Sequence, residues 1–268
     1  MIIDTHVHIG KMLEFDMKKE EVLYSMERYG IDYSIVSDCR ASEFDGDLNP
    51  IPPEEQFSQI ECAKGAVDFA KEYPDRIGAA LWLKPFGECA DKELYDFIEE
   101  NRKYIKALKF HPFSSNFPFD DAKMDGYMEL AEHFSLPVVS HTGGSDAASC
   151  KRVYNMAKRH PDINFVMVHM GLGTDNSEAI ELISRLPNLY GDTAWVPVEN
   201  TIKFINEVND DRIIFGSDNP IDGKDTYVQN RTGQPSMYIP YFNELKSLIS
   251  EESYRKLMYL NAKKLFNL

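Results

Sequence analysis

The chain has 268 residues, a formal net charge of −15 at pH 7 and 43% hydrophobic residues. A (β/α)8 barrel needs about 250 residues, so this length predicts one domain that spans residues 1–268. No apolar run approaches the roughly 20 residues that cross a membrane, and the acidic charge disfavours a nucleic-acid partner.

The cysteines and the N-terminus favour a cytoplasmic location. The four cysteines are far apart and form no CxxC pair, which is typical of free thiols in a reducing compartment. The chain enters an apolar, strand-like segment at once, without the basic start and cleavage site of a secretory signal. We therefore expect a cytoplasmic protein that acts on a small molecule. Whether it forms a homodimer is left undecided by the sequence.

Strand-like and helix-like segments alternate along the whole chain. The predicted strands are 2–8, 33–37, 77–83, 105–110, 137–140, 163–168, 189–193 and 212–215. The predicted helices cover about 17–29, a segment ending near 73, 90–102, a segment ending near 134, 147–159, 177–186, 199–208, 241–249 and 251–266. Eight strand–helix units predict the α/β class, and specifically a single (β/α)8 TIM barrel of parallel strands.

Polar side chains capable of binding a metal lie at the ends of these predicted strands. They are five of the seven histidines and one aspartate: His6, His8, His111, His141, His169 and Asp218. Residues two apart on a strand face the same way, so His6 and His8 can reach one ion together. Because barrel active sites lie at the C-terminal ends of the strands, the pattern predicts a catalytic metal centre there. The other two histidines, His133 and His160, end predicted helices and are interpreted as surface residues.

The motifs resemble the amidohydrolase superfamily, and within it the "amidohydrolase 2" branch that includes aminocarboxymuconate semialdehyde decarboxylase. They occur in order along the whole chain: Asp4-Thr5-His6-Val7-His8, Lys109-Phe110-His111-Pro112, the isolated His141 and His169, Gly216-Ser217-Asp218-Asn219-Pro220, and Asn261-Ala262-Lys263-Lys264-Leu265-Phe266. The opening HxH alone is only moderately specific, whereas the ordered set is strong.

The resemblance implies one divalent ion, with zinc as the expected metal, held by His6, His8, His141 and Asp218. A second ion in the site remains an alternative. It places His169 beside the ion as an acid/base or polarising group. Three neutral imidazoles and a carboxylate leave one position for a water, whose pKa falls to about 7 on such an ion. Asp218 can accept the proton of that water and pass it to a leaving group, so Asp218 and His169 are the predicted catalytic residues.

Lys109 and His111 on the fourth strand have the same parity and are predicted to face the substrate. In two-metal members of the superfamily a carboxylated lysine or a glutamate bridges the ions there. Lys109 can thus be a bridging carbamate, a cation for a substrate carboxylate, or an interior lysine paired with an acid such as Asp4. We expect a free ammonium group that binds substrate. His111 can line the pocket, which we favour, or cap the strand before Pro112.

The remaining walls are predicted from position alone. Arg40, Lys84 and Trp195 follow the second, third and seventh strands and are expected to face the mouth, with Arg40 and Trp195 as substrate-binding residues. The three phenylalanines of the loop after the fourth strand form either an apolar lip or core: Phe113, Phe117 and Phe119. The loop 222–240 is either a lid or a solvated, idle loop; it carries Lys224, Tyr227, Arg231 and Tyr238.

Two enzymatic reactions share these ligands. The first is hydrolysis of an amide, ester or lactone of a small, carboxylated compound. The alternative is non-oxidative decarboxylation of a similar acid, aromatic or muconate-like, and the short chain favours hydrolysis. A TatD-type metal-dependent nuclease also opens with HxH, but a strand-4 glutamate and a basic groove are missing. A catalytically silent metal-binding protein is disfavoured by the complete ligand set.

Overall fold

The computed structural model describes residues 1–12, 15–227 and 235–268. Nine hydrogen-bonded strands lie within these ranges: β1 Ile3–Met12, β2 Phe15–Met17, β3 Tyr33–Asp38, β4 Ile77–Trp82, β5 Ile105–Phe110, β6 Val138–Gly143, β7 Phe165–Leu172, β8 Leu189–Asp192 and β9 Ile213–Ile214. They pair in the order β2-β1-β3-β4-β5-β6-β7-β8-β9. All pairs from β1 to β9 are parallel, and only β2 runs antiparallel to its partner.

The sheet closes because the chain after β9 pairs with β1. The Thr5 amide donates to the Phe215 carbonyl at 3.0 Å, the Asp218 amide to the His6 carbonyl at 2.9 Å, and the His8 amide to the Asn219 carbonyl at 2.8 Å. The predicted TIM-barrel fold of the α/β class is thereby confirmed, since β1 and β3 to β9 form its eight parallel strands.

Helices follow the strands as the alternation predicted. They are α1 Lys19–Tyr29, α2 Gln59–Glu72, α3 Lys92–Asn101, α4 Asp125–His133, α5 Cys150–Arg159, α6 Ser177–Arg185, α7 Val198–Glu207, α8 Lys246–Leu248, α9 Glu251–Arg255 and α10 Asn261–Phe266. Wider π-helical turns at Pro240–Leu245 and Lys256–Leu260 lead into α8 and α10. None of the helices in the described ranges is long and apolar enough to cross a membrane.

The first helix begins later than its predicted start at residue 17. The end of β1 continues past His8 to Met12 and pairs with β2, so residues 15–17 are extended rather than helical. The chain then turns into α1, whose start is fixed by two hydrogen bonds: the Lys18 amide donates to the Glu21 carboxylate, and the Glu21 amide donates to the Lys18 carbonyl. Gly30, with φ +68°, ends α1 in the left-handed conformation that glycine adopts at low cost. The sequence pattern could not reveal this hairpin because its strands have only three paired positions.

The barrel interior is layered. Alternate positions on one strand share a face, so Ala107 lies one layer below Lys109, and Val139 one layer below His141. Ala107 and Val139 belong to a buried cluster with Ile35, Ala80, Val166 and Ile214 that packs against Ala262, Leu265 and Phe266 of α10. The C-terminal helix therefore covers the apolar floor, and the polar layer above it faces the C-terminal ends of the strands.

Candidate metal centre and its cavity

The first strand and the turn after β9 bring the central groups together. His6 and His8 point into the barrel from β1, and the Asp218 turn is bonded to the backbone of that strand. The close approach requires glycine at position 216, because a Cβ there would lie 2.8 Å from the Cβ of His6. Asp4 ties the same two segments by accepting from the Ser217 amide and hydroxyl.

Three ligand atoms form a small triangle at this point. The Nε2 atoms of His6 and His8 are 3.0 Å apart, and they lie 3.3 Å and 2.9 Å from Oδ1 of Asp218. Around an ion with bonds of about 2.1 Å, neighbouring ligand atoms are about 3.0 Å apart in octahedral and about 3.4 Å apart in tetrahedral geometry. The triangle therefore has the dimensions of one face of a divalent-metal site.

Hydrogen bonds on the far side of each ring hold these nitrogens toward the triangle, and the one to His6 also fixes the position of its proton. Nδ1 of His6 lies 3.0 Å from Oδ2 of Asp192, and Nδ1 of His8 lies 2.9 Å from the Ser37 hydroxyl. A carboxylate can only accept, so the His6 proton is on Nδ1 and its Nε2 carries a lone pair. Burial lowers the pKa of His6 well below its ordinary value, which keeps the ring in the neutral form that binds metals.

Asp218 is held as an anion with one oxygen fixed. Trp195 donates its indole N–H to Oδ2 at 2.7 Å, which leaves Oδ1 for the triangle. Burial by itself would raise the pKa of Asp218, but the neighbouring His6 and the hydrogen bond from His8 outweigh it and hold the pKa well below the usual range. Trp195 thus touches a predicted ligand, although it is not among the described residues that line the cavity.

His141 carries an unpartnered buried nitrogen. Its Nδ1 has no hydrogen-bond partner among the described residues, and burial lowers its pKa well below the ordinary value. A buried neutral imidazole with a free nitrogen is costly unless something binds it. The ring of His141 packs edge-on to that of His169, with centroids 4.8 Å apart.

His169, unlike His141, belongs to a group of possible ligands with His6 and Asp218. One atom each from His6, His169 and Asp218 lie within 4.8 Å of one another. Nδ1 of His169 donates to the Ala194 carbonyl at 3.0 Å, so its Nε2 carries a lone pair and no proton. Burial lowers its pKa to about 4, which keeps the ring neutral. Of the predicted acid/base roles, His169 in this state therefore fits a proton acceptor, and it can also be a ligand.

Asp192 was not among the predicted site residues, yet it binds directly behind His6 and His169. Its Oδ2 accepts from His6, while its Oδ1 accepts the His169 amide at 2.7 Å and the Ala194 amide at 3.3 Å. Burial raises its pKa to about 6. Asp192 stands at the end of a predicted strand, like every predicted ligand, so the signal that identified the histidines could also have found it.

Three residues at this centre have a left-handed backbone conformation. His169, Trp195 and Asp218 have φ angles of +64°, +58° and +74°. Residues other than glycine rarely adopt this left-handed conformation, and those that do are often found at functional sites.

A cavity of about 260 Å³ opens above the triangle. Its described lining includes the predicted residues His6, His8, His111, His141, His169 and Asp218. Apolar side chains form much of the remaining wall: Met12, Met17, Phe44, Trp82, Phe113, Leu172 and Ile221. The segment 44–46, from the insertion after β3, supplies part of the rim. None of the described lining residues is lysine or arginine.

The predicted cations lie outside this lining. Arg40 forms an ion pair at 2.6 Å with Asp38, because the buried Asp38 carboxylate needs a partner. The guanidinium group also stacks over the Phe57 ring. The ammonium group of Lys84 binds the Phe57 carbonyl at 2.5 Å. The geometry therefore does not support the predicted substrate contact of Arg40 or the position of Lys84 at the mouth.

Lys109 is buried beside the triangle rather than in the cavity wall. Its Nζ lies 3.3 Å from Nε2 of His6. Burial lowers its pKa to about 8, although the nearby Asp192 and Asp218 act in the opposite direction. The suggested partner Asp4 is instead bonded to Ser217 and to the Tyr238 hydroxyl.

The three phenylalanines of the loop after β5 have different roles. Phe113 lines the cavity, whereas Phe119 is 1% exposed and packs against Phe110 and Phe165. Phe117 is partly buried against the core. The predicted apolar lip is thus limited to Phe113.

In the loop 222–240, Tyr227 and Tyr238 are buried and Lys224 is exposed. Asp222 joins the two ends of this loop by accepting from the Ser236 hydroxyl and the Met237 amide. Arg231 lies outside the described residues, as do all of 228–234.

Comparison with known proteins agrees with this geometry. A family model described as amidohydrolase (Amidohydro_2) matches residues 3–268. A search of curated proteins finds no match. The fold and the grouped strand-end histidines define a metal-dependent enzyme of the TIM-barrel type. The chain belongs to the amidohydrolase family, as the resemblance in its motifs implied.

Proteins of solved structure with the same fold have several different activities. A 4-oxalomesaconate hydratase from Rhodopseudomonas palustris is 18% identical, with a TM-score of 0.70 over 100% of this chain and 96% of that one. A probable 2-pyrone-4,6-dicarboxylic acid hydrolase from Acinetobacter baumannii is 12% identical, with a TM-score of 0.67 over 100% and 99%. A 5-carboxyvanillate decarboxylase from Novosphingobium aromaticivorans, with bound manganese, is 14% identical, with a TM-score of 0.71 over 100% and 97%.

Proposed function

We propose that the protein is a metal-dependent hydrolase that cleaves an amide, ester or lactone of a small, flat compound. His6, His8 and Asp218 would hold the ion through the triangle of atoms described above, with His141 as the fourth ligand because its buried Nδ1 otherwise lacks a partner. Zinc is the proposed metal on the basis of its imidazole and carboxylate ligands. The manganese in the decarboxylase structure makes that ion the second candidate.

The observation that carries the hydrolytic assignment is that both acid–base groups are proton acceptors. His169 donates through Nδ1 to a carbonyl, so its Nε2 is unprotonated. Asp218 is held ionised by its neighbours. A reaction that begins by taking a proton from water needs such acceptors, whereas a decarboxylase must supply a proton to the carbon that loses carbon dioxide.

The chain's own residues then have distinct tasks. A divalent ion in the triangle would polarise a substrate carbonyl and make water more acidic. His169 accepts the proton of the attacking water at Nε2 and returns it to the leaving group. Asp192 keeps the His6 ring in the orientation and tautomer that binding requires, and Ser37 orients the His8 ring. The apolar wall around Trp82 and Phe113 limits the entry of further water.

Decarboxylation of a small aromatic acid is the second candidate. The flat aromatic wall, and the lack of lysine and arginine among the described lining residues, favour a substrate whose carboxylate is not neutralised by a side chain. Chain length no longer favours hydrolysis, since the alignment covers 97% of the decarboxylase chain.

A screen with defined metal content tests the proposal. The purified chain is stripped of metal, reloaded with Zn²⁺ or Mn²⁺, and assayed with lactones, esters, amides and aromatic acids for released acid and for carbon dioxide. We expect metal-dependent release of acid without carbon dioxide. The His133→Asn variant, changed at a surface histidine that contacts Tyr95, is the control and should retain activity. Release of carbon dioxide without hydrolysis would replace the proposal by the second candidate.

A further inference from the structure

His111 differs from His169 in which of its ring nitrogens carries the proton. The Ser114 backbone amide donates to Nδ1 of His111 at 3.1 Å. An amide N–H can only donate, so Nδ1 must offer a lone pair. The proton of the neutral ring is therefore on Nε2, the opposite of the arrangement in His169, whose Nδ1–H donates to the Ala194 carbonyl.

The position of the His111 ring is fixed by stacking. It lies parallel to Trp82, with centroids 5.0 Å apart and an interplanar angle of 7°. Its other face stacks on His141 at 3.8 Å and 13°. With both faces covered and Nδ1 bound to the loop, only the edge that carries Nε2 is left. His111 lines the cavity, and its Nε2 is not among the buried polar atoms that lack a partner in the described residues.

We infer that His111 donates a hydrogen bond from Nε2 to a carbonyl or carboxylate oxygen of the substrate. This inference rests on the proposed function, in that it assigns a specificity-determining residue to the same cavity. The cavity then offers an acceptor at His169 and a donor at His111, in a wall whose described residues include no lysine or arginine. It selects a flat molecule with an acceptor oxygen, and a molecule that presents only an ammonium group finds no partner at His111.

The tautomer can be read directly. In the full chain loaded with Zn²⁺, which is diamagnetic, ¹⁵N spectra of labelled histidine side chains distinguish Nε2–H from Nδ1–H. The signals that disappear in His111→Gln assign His111, and those that disappear in His133→Gln supply an assigned comparison. We expect the Nε2–H form at His111. An Nδ1–H ring or a doubly protonated ring would overturn the inference.

Binding of benzoate, a flat carboxylate without a scissile bond, tests the donor. His111→Phe keeps an aromatic ring between Trp82 and His141 but removes the N–H, and it should bind benzoate about 10- to 100-fold more weakly, as for the loss of one hydrogen bond to a charged group. His111→Gln can place an amide N–H near the same point and should stay within about 3-fold of wild type. Both variants should retain the metal content of wild type.

Each other outcome contradicts the inference. If wild type does not bind benzoate, or if His111→Phe binds it as tightly as wild type, the donor has no role in recognition. If His111→Gln binds benzoate as weakly as His111→Phe, or more weakly, an N–H near this point does not restore binding, and donation by His111 is not the cause. Failure of the proposed function is distinguishable, because the absence of hydrolysis in the screen would leave both the tautomer and the benzoate results intact.

Discussion

Replacing Asp192 by asparagine should separate metal affinity from folding. Asp192 accepts from His6 at Oδ2, and from the His169 and Ala194 amides at Oδ1. An amide side chain has one acceptor atom and one donor group. Whichever way the new side-chain amide is turned, its NH2 group meets an N–H on one side, so a buried donor loses its partner.

The expected size of the effect follows from this count. A buried donor without an acceptor costs about 1–3 kcal/mol, and about 1.4 kcal/mol corresponds to a tenfold change in a dissociation constant. We therefore expect Asp192→Asn to bind Zn²⁺ about 10- to 100-fold more weakly, in agreement with the usual effect of losing a carboxylate behind a metal-binding histidine. If the His6 ring changes tautomer instead, its Nε2 gains a proton and the loss is at the upper end.

Zinc affinity is measured by competition with a chelator at fixed pH, and folding by circular dichroism. The control is Asp210→Asn, which removes a partly buried carboxylate that pairs with Lys256 near the opposite ends of the strands. The control should bind zinc as wild type does. A folded Asp192→Asn protein whose zinc affinity stays within about 3-fold of wild type would refute the reasoning.

Three further changes test other parts of the site. His169→Asn should retain its metal, by elemental analysis, and lose roughly 100-fold or more of its turnover; loss of the metal would instead make His169 a ligand. Lys109→Met should raise KM with unchanged metal content if the lysine binds substrate, whereas lower stability with unchanged KM would make it structural; a carboxylated Lys109 between two ions would contradict the free ammonium group. Burial raises the pKa of Asp222 to about 7 from 3.8, so between these values the folded protein holds a proton that the unfolded chain has released, and stability falls as pH rises. Relative to Asp222→Asn, which does not titrate there, wild type should lose up to about 3 kcal/mol of unfolding free energy between pH 4 and pH 7; a constant difference in denaturant titrations at the two pH values would contradict this.

The barrel and the position of its polar layer could be predicted because both depend on periodicity. Strand and helix patterns alternate eight times, and parity then places His6 with His8, and Lys109 with Ala107. Arg40 shows where this reasoning ends. Its position after a strand predicted that it faces the mouth of the barrel. Its direction is instead set by the ion pair with the buried Asp38. The position of a residue in the sequence does not show which partner a long side chain will bind.

The chemistry of the histidines depends on partners that the sequence does not reveal. His111 and His169 stand at equivalent strand ends and are the same residue type, so strand-end position gives them the same expected role. Two backbone groups make the difference in the structure. The Ser114 amide donates to Nδ1 of His111, whereas the Ala194 carbonyl accepts from Nδ1 of His169. Backbone groups are present at every position, so no residue type marks them. The local turn decides which one meets the ring, and thereby which histidine can take a proton and which can give a hydrogen bond.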